Sequence, residues 1–441
     1  MMRFGILKVF VVSAIVPVAA QKSMIGQYIA STASDSQLIA QSTHAAVVRE
    51  NSFAMPLISD AEIRLRKSDY FGRDSTGRDS ILDNIFGLRY TLRLRPRGVG
   101  ETKAIRAYYR VQEAAEEHKS DYLFNKTLVD RYIDVIDLLE RQMTLATSQD
   151  LITLYEDRIR VMDQLKNSAD FDLNELIRAE KDLSKLTVQH LEEAQETEIM
   201  CYAVGLVLGD TSFSGFDTSG LISVAAIKNI VDSTKFTLNE DNYTLRNIEG
   251  QFELAETRFE LEKAQNRQIV SYFEFSYDHP GMLDELHKRE RGRYYDSRGA
   301  FILDLGIKLP WLSINRQDFA RRQIDFMRDR EEYDQLRRDL AKKMRKDESD
   351  IRALIKQYEF LTARENEVDA EASLKKYLQM SGVDPLVLLS IKENLIKNNM
   401  EKASIYYSIL RNFIYVIDVT GRMSSRPLCN CLSLRREVLE P

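Results

Sequence analysis

Leu88-Arg89-Tyr90-Thr91-Leu92-Arg93-Leu94-Arg95 alternates apolar and polar residues without a break and stops at Pro96. Alternation at period two marks a strand with one oily face and one wet face. Three other segments share it. In Ala61-Glu62-Ile63-Arg64-Leu65-Arg66, apolar and charged residues alternate. Ile269 to Tyr277 places Phe273, Phe275 and Tyr277 on one face. Phe301, Leu303, Leu305, Ile307 and Leu309 form one face of the last segment, with Asp304, Gly306 and Lys308 on the other. A tilted strand crossing an outer membrane needs about 9–11 residues, which these segments approach. Two hairpins packed on a soluble core are the other arrangement open to them.

Almost everything between the strands reads as helix. Residues 101–204, 311–381 and 386–420 contain neither Gly nor Pro. They are rich in Leu, Glu, Lys, Arg, Ala and Gln, all good helix formers. Leu128, Tyr132, Val135, Leu138 and Leu139 recur at helical steps, as do Leu354, Ile355, Tyr358 and Leu361. That spacing gives one buried stripe per helix. A helix from about 102 to 166 is roughly 100 Å long, too long for a compact domain. Such rods pack side by side as coiled coils. The 441 residues carry a net charge of −6, which argues against a nucleic-acid binder. Five His and three Cys leave little material for a metal enzyme.

The chain repeats itself. Pro96 and Pro310 each end a strand and precede a long helix, at an offset of 214. Ala169-Asp170-Phe171-Asp172-Leu173 and Gly382-Val383-Asp384-Pro385-Leu386 mark two helical turns at an offset of 213. Gly209 and Gly421 close the two halves at an offset of 212. Repeats of this kind decide a fold and are sought first. The expected organisation is a signal peptide at 1–20, N-terminal helices at 21–56 and a first β-hairpin at 57–95. A first long helical hairpin follows at 96–209, then a linker with helices at 210–268. A second β-hairpin at 269–310, a second helical hairpin at 311–423 and a tail at 424–441 complete it. Long polar connections are expected at 67–85 and 278–300. The leader reading rests on Arg3 and Lys8 before the apolar run Val9 to Ala20, with Val18-Ala19-Ala20 before Gln21. A buried N-terminal helix is the other reading. Cys201 reads as a small core residue, and Cys429 and Cys431 as part of an unstructured tail.

Four transmembrane strands do not close a barrel, and an unpaired edge in lipid leaves backbone groups unsatisfied. Several chains must then share one barrel, most simply by cyclic symmetry. The rods continue from it as a second hollow cylinder, and the whole is a conduit.

The sequence at this point resembles the TolC-type outer-membrane factors, the exit ducts of Gram-negative efflux pumps and type I secretion systems. The resemblance covers roughly 25–423. It is carried by Asp304-Leu305-Gly306-Ile307-Lys308-Leu309-Pro310-Trp311-Leu312 and by Ser381-Gly382-Val383-Asp384-Pro385-Leu386-Val387-Leu388-Leu389. Leu176-Ile177-Arg178-Ala179-Glu180-Lys181-Asp182-Leu183 and Asn242-Tyr243-Thr244-Leu245 add to it. It implies a mainly α fold with membrane β: antiparallel coiled-coil hairpins plus four transmembrane strands per chain, internally duplicated. It further implies a homotrimer with a twelve-stranded barrel and a helical periplasmic tunnel. The implied partners are outer-membrane lipid, a periplasmic adaptor (membrane fusion) protein and an inner-membrane transporter of the RND, ABC or MFS type. No catalysis, cofactor or metal is implied.

Candidate tip, gate or adaptor-contact residues are Asp170, Asp172, Leu173, Gly382, Asp384, Leu386 and Leu389. For the three Asp, helix N-capping competes with gating. The family's acidic residues after the second tip are replaced here by Val387, Leu388, Leu389 and Ser390. Arg64, Arg66, Arg89, Arg93 and Arg95 are candidate lumen residues. They make the barrel locally cationic, or they simply hydrate a wide pore. An enzyme finds no support, since neither a P-loop nor His-Glu-x-x-His occurs. A periplasmic or secreted coiled-coil scaffold without a pore explains the rods and the charge, but not the strands.

Overall fold

The computed structural model describes residues 23–52, 58–73, 79–166, 171–279, 300–308, 316–367, 385–423, 427–434 and 437–439. The expected leader at 1–20 lies outside them, as do Asp170, Gly382 and Asp384. In chain order come α1 (Met24–Ala30), α2 (Ser36–Ser52), β1 (Ile58–Arg73), β2 (Asp79–Pro96), α3 (Glu101–Gln164) and α4 (Leu173–Leu208). Then follow α5 (Val224–Ser233), α6 (Tyr243–Asn266), β3 (Val270–His279), β4 (Ala300–Ile307), α7 (Arg316–Glu367) and α8 (Pro385–Val419).

The chain turns from strand into rod within four residues. Gly100 takes φ 82°, a conformation that is costly with a Cβ. The Glu101 carboxylate accepts from the backbone N of Gly98 at 2.6 Å and steadies the turn. With no breaker inside it, α3 then runs for 64 residues, roughly 95 Å at 1.5 Å per residue. At the sheet end α2 packs on α3, α3 on α6, and α6 on α7. Farther along, α4 packs on α3, α3 on α8, and α8 on α7. The two long helices α3 and α7 thus run through both tiers, and shorter helices fill the places beside them.

Most of the buried apolar surface is gathered midway along α3. Leu128, Tyr132, Val135 and Leu139 meet Ile227 of α5, Ile351 of α7 and Leu410 of α8 there. Cys201 lies in this core, as its surroundings in sequence imply. Polar locks surround it. Asn242 caps α6 by accepting from Thr244 N and Leu245 N, and its Nδ2 donates to the carbonyl of Val419 at 2.9 Å. One side chain therefore joins the start of α6 to the end of α8.

Two expectations are overturned. The connection expected over 67–85 is strand for most of its length: β1 reaches Arg73, β2 starts at Asp79, and they pair from Lys67↔Leu88 to Arg73↔Asp79. Alternation fades after Arg66, but a backbone ladder does not require it. The C-terminal tail is also not unstructured. Leu428, Leu432 and Leu439 are buried in the core. The Tyr132 hydroxyl donates to the Cys429 carbonyl and accepts from Cys431 N. Ile222 N donates to the Leu432 carbonyl at 2.8 Å, and the Glu437 carboxylate accepts from Ser23 N at 2.7 Å. A segment this short reads as coil, yet it sends three leucines into the core. Cys429 and Cys431 are free thiols.

Two outcomes follow from this packing. Tyr132→Phe removes both tail bonds and should cost about 1–2 kcal/mol. Amide exchange across 427–439 should accelerate while α4 stays protected. Asp347 of α7 is buried, and its Oδ2 has no hydrogen-bond partner among the described residues. Burial lifts its pKa, Asp350 adds to the lift, and Lys343 and Lys346 oppose it. The folded carboxyl then holds its proton more tightly than the unfolded one. Stability falls as pH rises from the ordinary carboxylate range through the raised pKa. Asp347→Asn should raise the melting temperature by ~1–3 °C at neutral pH and leave it unchanged in acid.

Candidate functional site

The four strands form one antiparallel sheet in the order β1-β2-β3-β4. Residues opposite each other in the ladder share a face, so register sorts every side chain. Ile63 pairs with Leu92, and Leu92 with Phe275, and Phe275 with Leu303. Leu65, Tyr90, Tyr277 and Phe301 form the adjacent row. This face is bare: Ile63 is 82% exposed, Phe301 86% and Leu303 66%. The Tyr277 and Phe301 rings lie 4.8 Å apart on it. A continuous apolar sheet face of this kind has no place in water. Among the described residues no helix is long and apolar enough to cross a membrane.

The other face is polar. Arg64, Arg66, Arg89, Arg93 and Arg95 all lie on it by register. So do Asp60, Glu62, Glu274 and Asp304. Arg64 donates to Glu62 at 2.6 and 2.8 Å. Arg93 reaches Glu274 at 3.4 Å, and Arg95 reaches Asp60 at 3.5 Å. The face is therefore mixed in sign. The arginines were visible along two strands, whereas their partners emerge only with the register. At the centre the Thr91 and Ser276 hydroxyls bond each other at 3.0 Å. The Arg93 guanidinium sits 3.9 Å over the Tyr272 ring, which crosses Gly306. A Cβ at Gly306 would meet that ring at 2.4 Å.

At the far end, Asp172 accepts from Asn174 N at 2.8 Å and caps α4. Leu173 beside it is exposed. Leu389 is buried against Leu151 and Leu154 of α3, and Leu386 packs beside them. Between these apolar contacts lies a charged cluster that sequence reading missed. Glu393 of α8 accepts from the Tyr155 hydroxyl at 2.9 Å, from Arg158 at 3.1 Å and from Lys397 at 2.6 Å. The second arm of Arg158 donates to Glu175 of α4 at 2.8 Å. One guanidinium on α3 thus holds α4 and α8 together. Burial alone would raise the Glu393 pKa, but the bonds from Lys397 and Tyr155 and the nearby cations bring it below the usual range. Burial and the bond to Glu393 push the Tyr155 hydroxyl up to about 12. Tyr155 and Glu393 lie far apart in sequence, and nothing local signals their pairing.

Helix α4 also carries an apolar stripe that the described chain leaves uncovered. Ile177, Val188 and Ile199 recur every eleven residues, three helical turns, with Leu191, Tyr202 and Leu206 beside them, all exposed. Among the described residues, no three His, Cys, Asp or Glu side chains converge to hold a metal ion.

No family model matches the sequence, and no curated protein is significantly similar to it. Solved structures do match. CusC, described for conformational changes accompanying folding and transmembrane channel formation, aligns with a TM-score of 0.65 at 11% identity. The alignment covers 90% of this chain and 92% of that one. The CmeC outer membrane channel of Campylobacter jejuni aligns with a TM-score of 0.61 at 11% identity, over 90% and 85% of the two chains. The outer membrane protein VceC of Vibrio cholerae aligns at 0.58 and 13% identity, over 90% and 96%. Across about nine-tenths of its length, the chain has the fold of these outer-membrane channels, the fold that its resemblance to the TolC-type family implied.

Proposed function

We propose that three copies of this chain form an outer-membrane exit duct that continues as a helical tunnel into the periplasm of a Gram-negative bacterium. The single observation that carries this reading is the two-faced sheet with β1 and β4 at its edges. Its apolar face suits lipid and its paired charges suit water, but its two edges suit neither alone. Pairing β4 of one copy with β1 of the next removes every edge. Three copies give a barrel wide enough for a water-filled bore. The stripe on α4 would then pack on the next copy.

Each half of the chain contributes one β-hairpin and one helical pair, consistent with internal duplication. The duct takes no part in chemistry. A periplasmic adaptor and an inner-membrane transporter supply energy and choose the cargo, whether in an efflux pump or a type I secretion system. A scaffold without a pore leaves the apolar sheet face with no suitable solvent. At the tip, Arg158 with Glu175 and Glu393 acts as a latch that holds α8 against α3 and α4, and opening requires its release.

Purified full-length protein should migrate as a heat-sensitive trimer and conduct ions in planar lipid bilayers. Water-soluble monomers without conductance would overturn the reading. Arg158→Ala or Glu393→Gln should raise single-trimer conductance severalfold without loss of trimers, and unchanged conductance removes the latch. Because the Glu393 pKa is lowered, its contribution persists down to the ordinary carboxylate range and is lost as pH falls through the lowered value. Wild-type conductance should therefore rise only in strongly acidic solution, and Glu393→Gln should flatten that rise.

A further inference from the structure

Just beyond the sheet, α3 carries charge that no group on the described chain neutralises. β2 ends at Pro96, and the first three turns of α3 present Lys103, Arg106 and Arg110. All three are exposed, and their side chains have no ion pair among the described residues. Their spacing puts them on one side of the helix. The side facing α6 is a different one: Arg258 lies over the Tyr108 ring, and Gly250 packs on Ala115.

The nearby acids are already engaged. Glu101 accepts from Gly98 N, Glu113 and Glu117 hold Arg49 of α2, and Glu116 accepts from Gln41. Exposed Val99, at 84%, adds an apolar tip between two glycines. Arg267, exposed at the end of α6, stands at the same level, because Gln268 next to it donates to the Pro96 carbonyl at 2.7 Å.

Height decides what this strip meets. The apolar face of β2 ends with Leu92 and Leu94. If that face lies in hydrocarbon, the polar layer of the membrane begins at about Pro96. That layer is roughly 5–8 Å deep on each side of a bilayer. Lys103 to Arg110 spans about 10 Å of helix, and long stems let the charged ends reach back toward the membrane.

We propose that Lys103, Arg106 and Arg110 form a docking strip for anionic phospholipid headgroups, on the leaflet from which the helices emerge. The strip sets the depth at which the sheet sits. This rests on the membrane reading of the sheet. Basic residues near a surface favour anionic lipid in proportion to their number, and the three together should give a preference of about tenfold after screening.

The test uses the full-length protein and the variant Lys103→Gln/Arg106→Gln/Arg110→Gln, whose exposed positions leave the helix intact by circular dichroism. Detergent-solubilised protein is titrated with phosphatidylglycerol and phosphatidylcholine, and retained lipid is counted by native mass spectrometry. Insertion into vesicles of each lipid is measured in parallel. Wild type should enter both vesicles and retain phosphatidylglycerol about tenfold more strongly, and the variant should enter both with no preference. Equal preference in the variant, or none in wild type that still inserts, overturns the strip alone. Displacement of phosphatidylglycerol by equimolar inorganic phosphate overturns it too, since the site would then bind a free anion. Wild type that enters neither vesicle overturns the membrane reading and the strip together.

Discussion

Every backbone N–H and C=O placed in hydrocarbon must find a partner inside the structure. For this chain that constraint falls on two edges, β1 and β4 of a four-stranded sheet. Nothing else in the molecule demands company so strongly. The rods pair among themselves, the core closes on itself, and the polar sheet face pairs its own charges. On the proposed membrane reading the open edges leave the isolated chain incomplete, and the number of copies is the number that closes the ring with a useful bore. In the proposed ring the uncovered stripe on α4 would answer to the same geometry one tier lower.

The rods pose a second problem. A helix near 95 Å long offers a narrow apolar stripe, and two such stripes alone do not fix register. The core midway along α3 does. Tyr132, Leu128 and Leu139 are fully buried there among α5, α7, α8 and the C-terminal segment. Asn242 and the tail add hydrogen bonds between parts of the chain far apart in sequence. The tail therefore works as a strap, joining the start of α1 to the middle of α3.

The architecture was legible because two periods carry it. Leu88 to Arg95 alternates cleanly enough to name the strand and its wet face, and the Pro- and Gly-free runs name the rods. Asp172 proved to be a cap, one of its two sequence readings. The remainder was hidden for definite reasons. Arg93 looked unbalanced until register brought Glu274 and Tyr272 to it. Leu432 looked like tail because its short segment forms no helix or named strand of its own. Arg158 and Glu393 carry no local signal, since their meeting depends on how two separate hairpins pack.

The distribution of contacts along the rods also says where the molecule yields. Around Tyr132 the helices are joined by a large apolar core, and opening it would expose surface that costs about 25 cal/mol per Å². Toward the tip the described residues form two smaller apolar groups, one around Leu151, Leu154 and Leu389 and one around Met162, Leu176 and Ala179, with Leu386 packed against both. Among the described residues α4 and α8 are joined there by Leu386 against the group that holds Leu176 and Ala179, and by the Arg158 guanidinium between Glu175 and Glu393. Such contacts exchange readily for water, so separating them costs far less than separating the core. In the proposed duct, motion would therefore concentrate at the tip, while the core around Tyr132 holds its shape. The proposed duct needs that division of stiffness, with a fixed wall along most of its length and one end that opens.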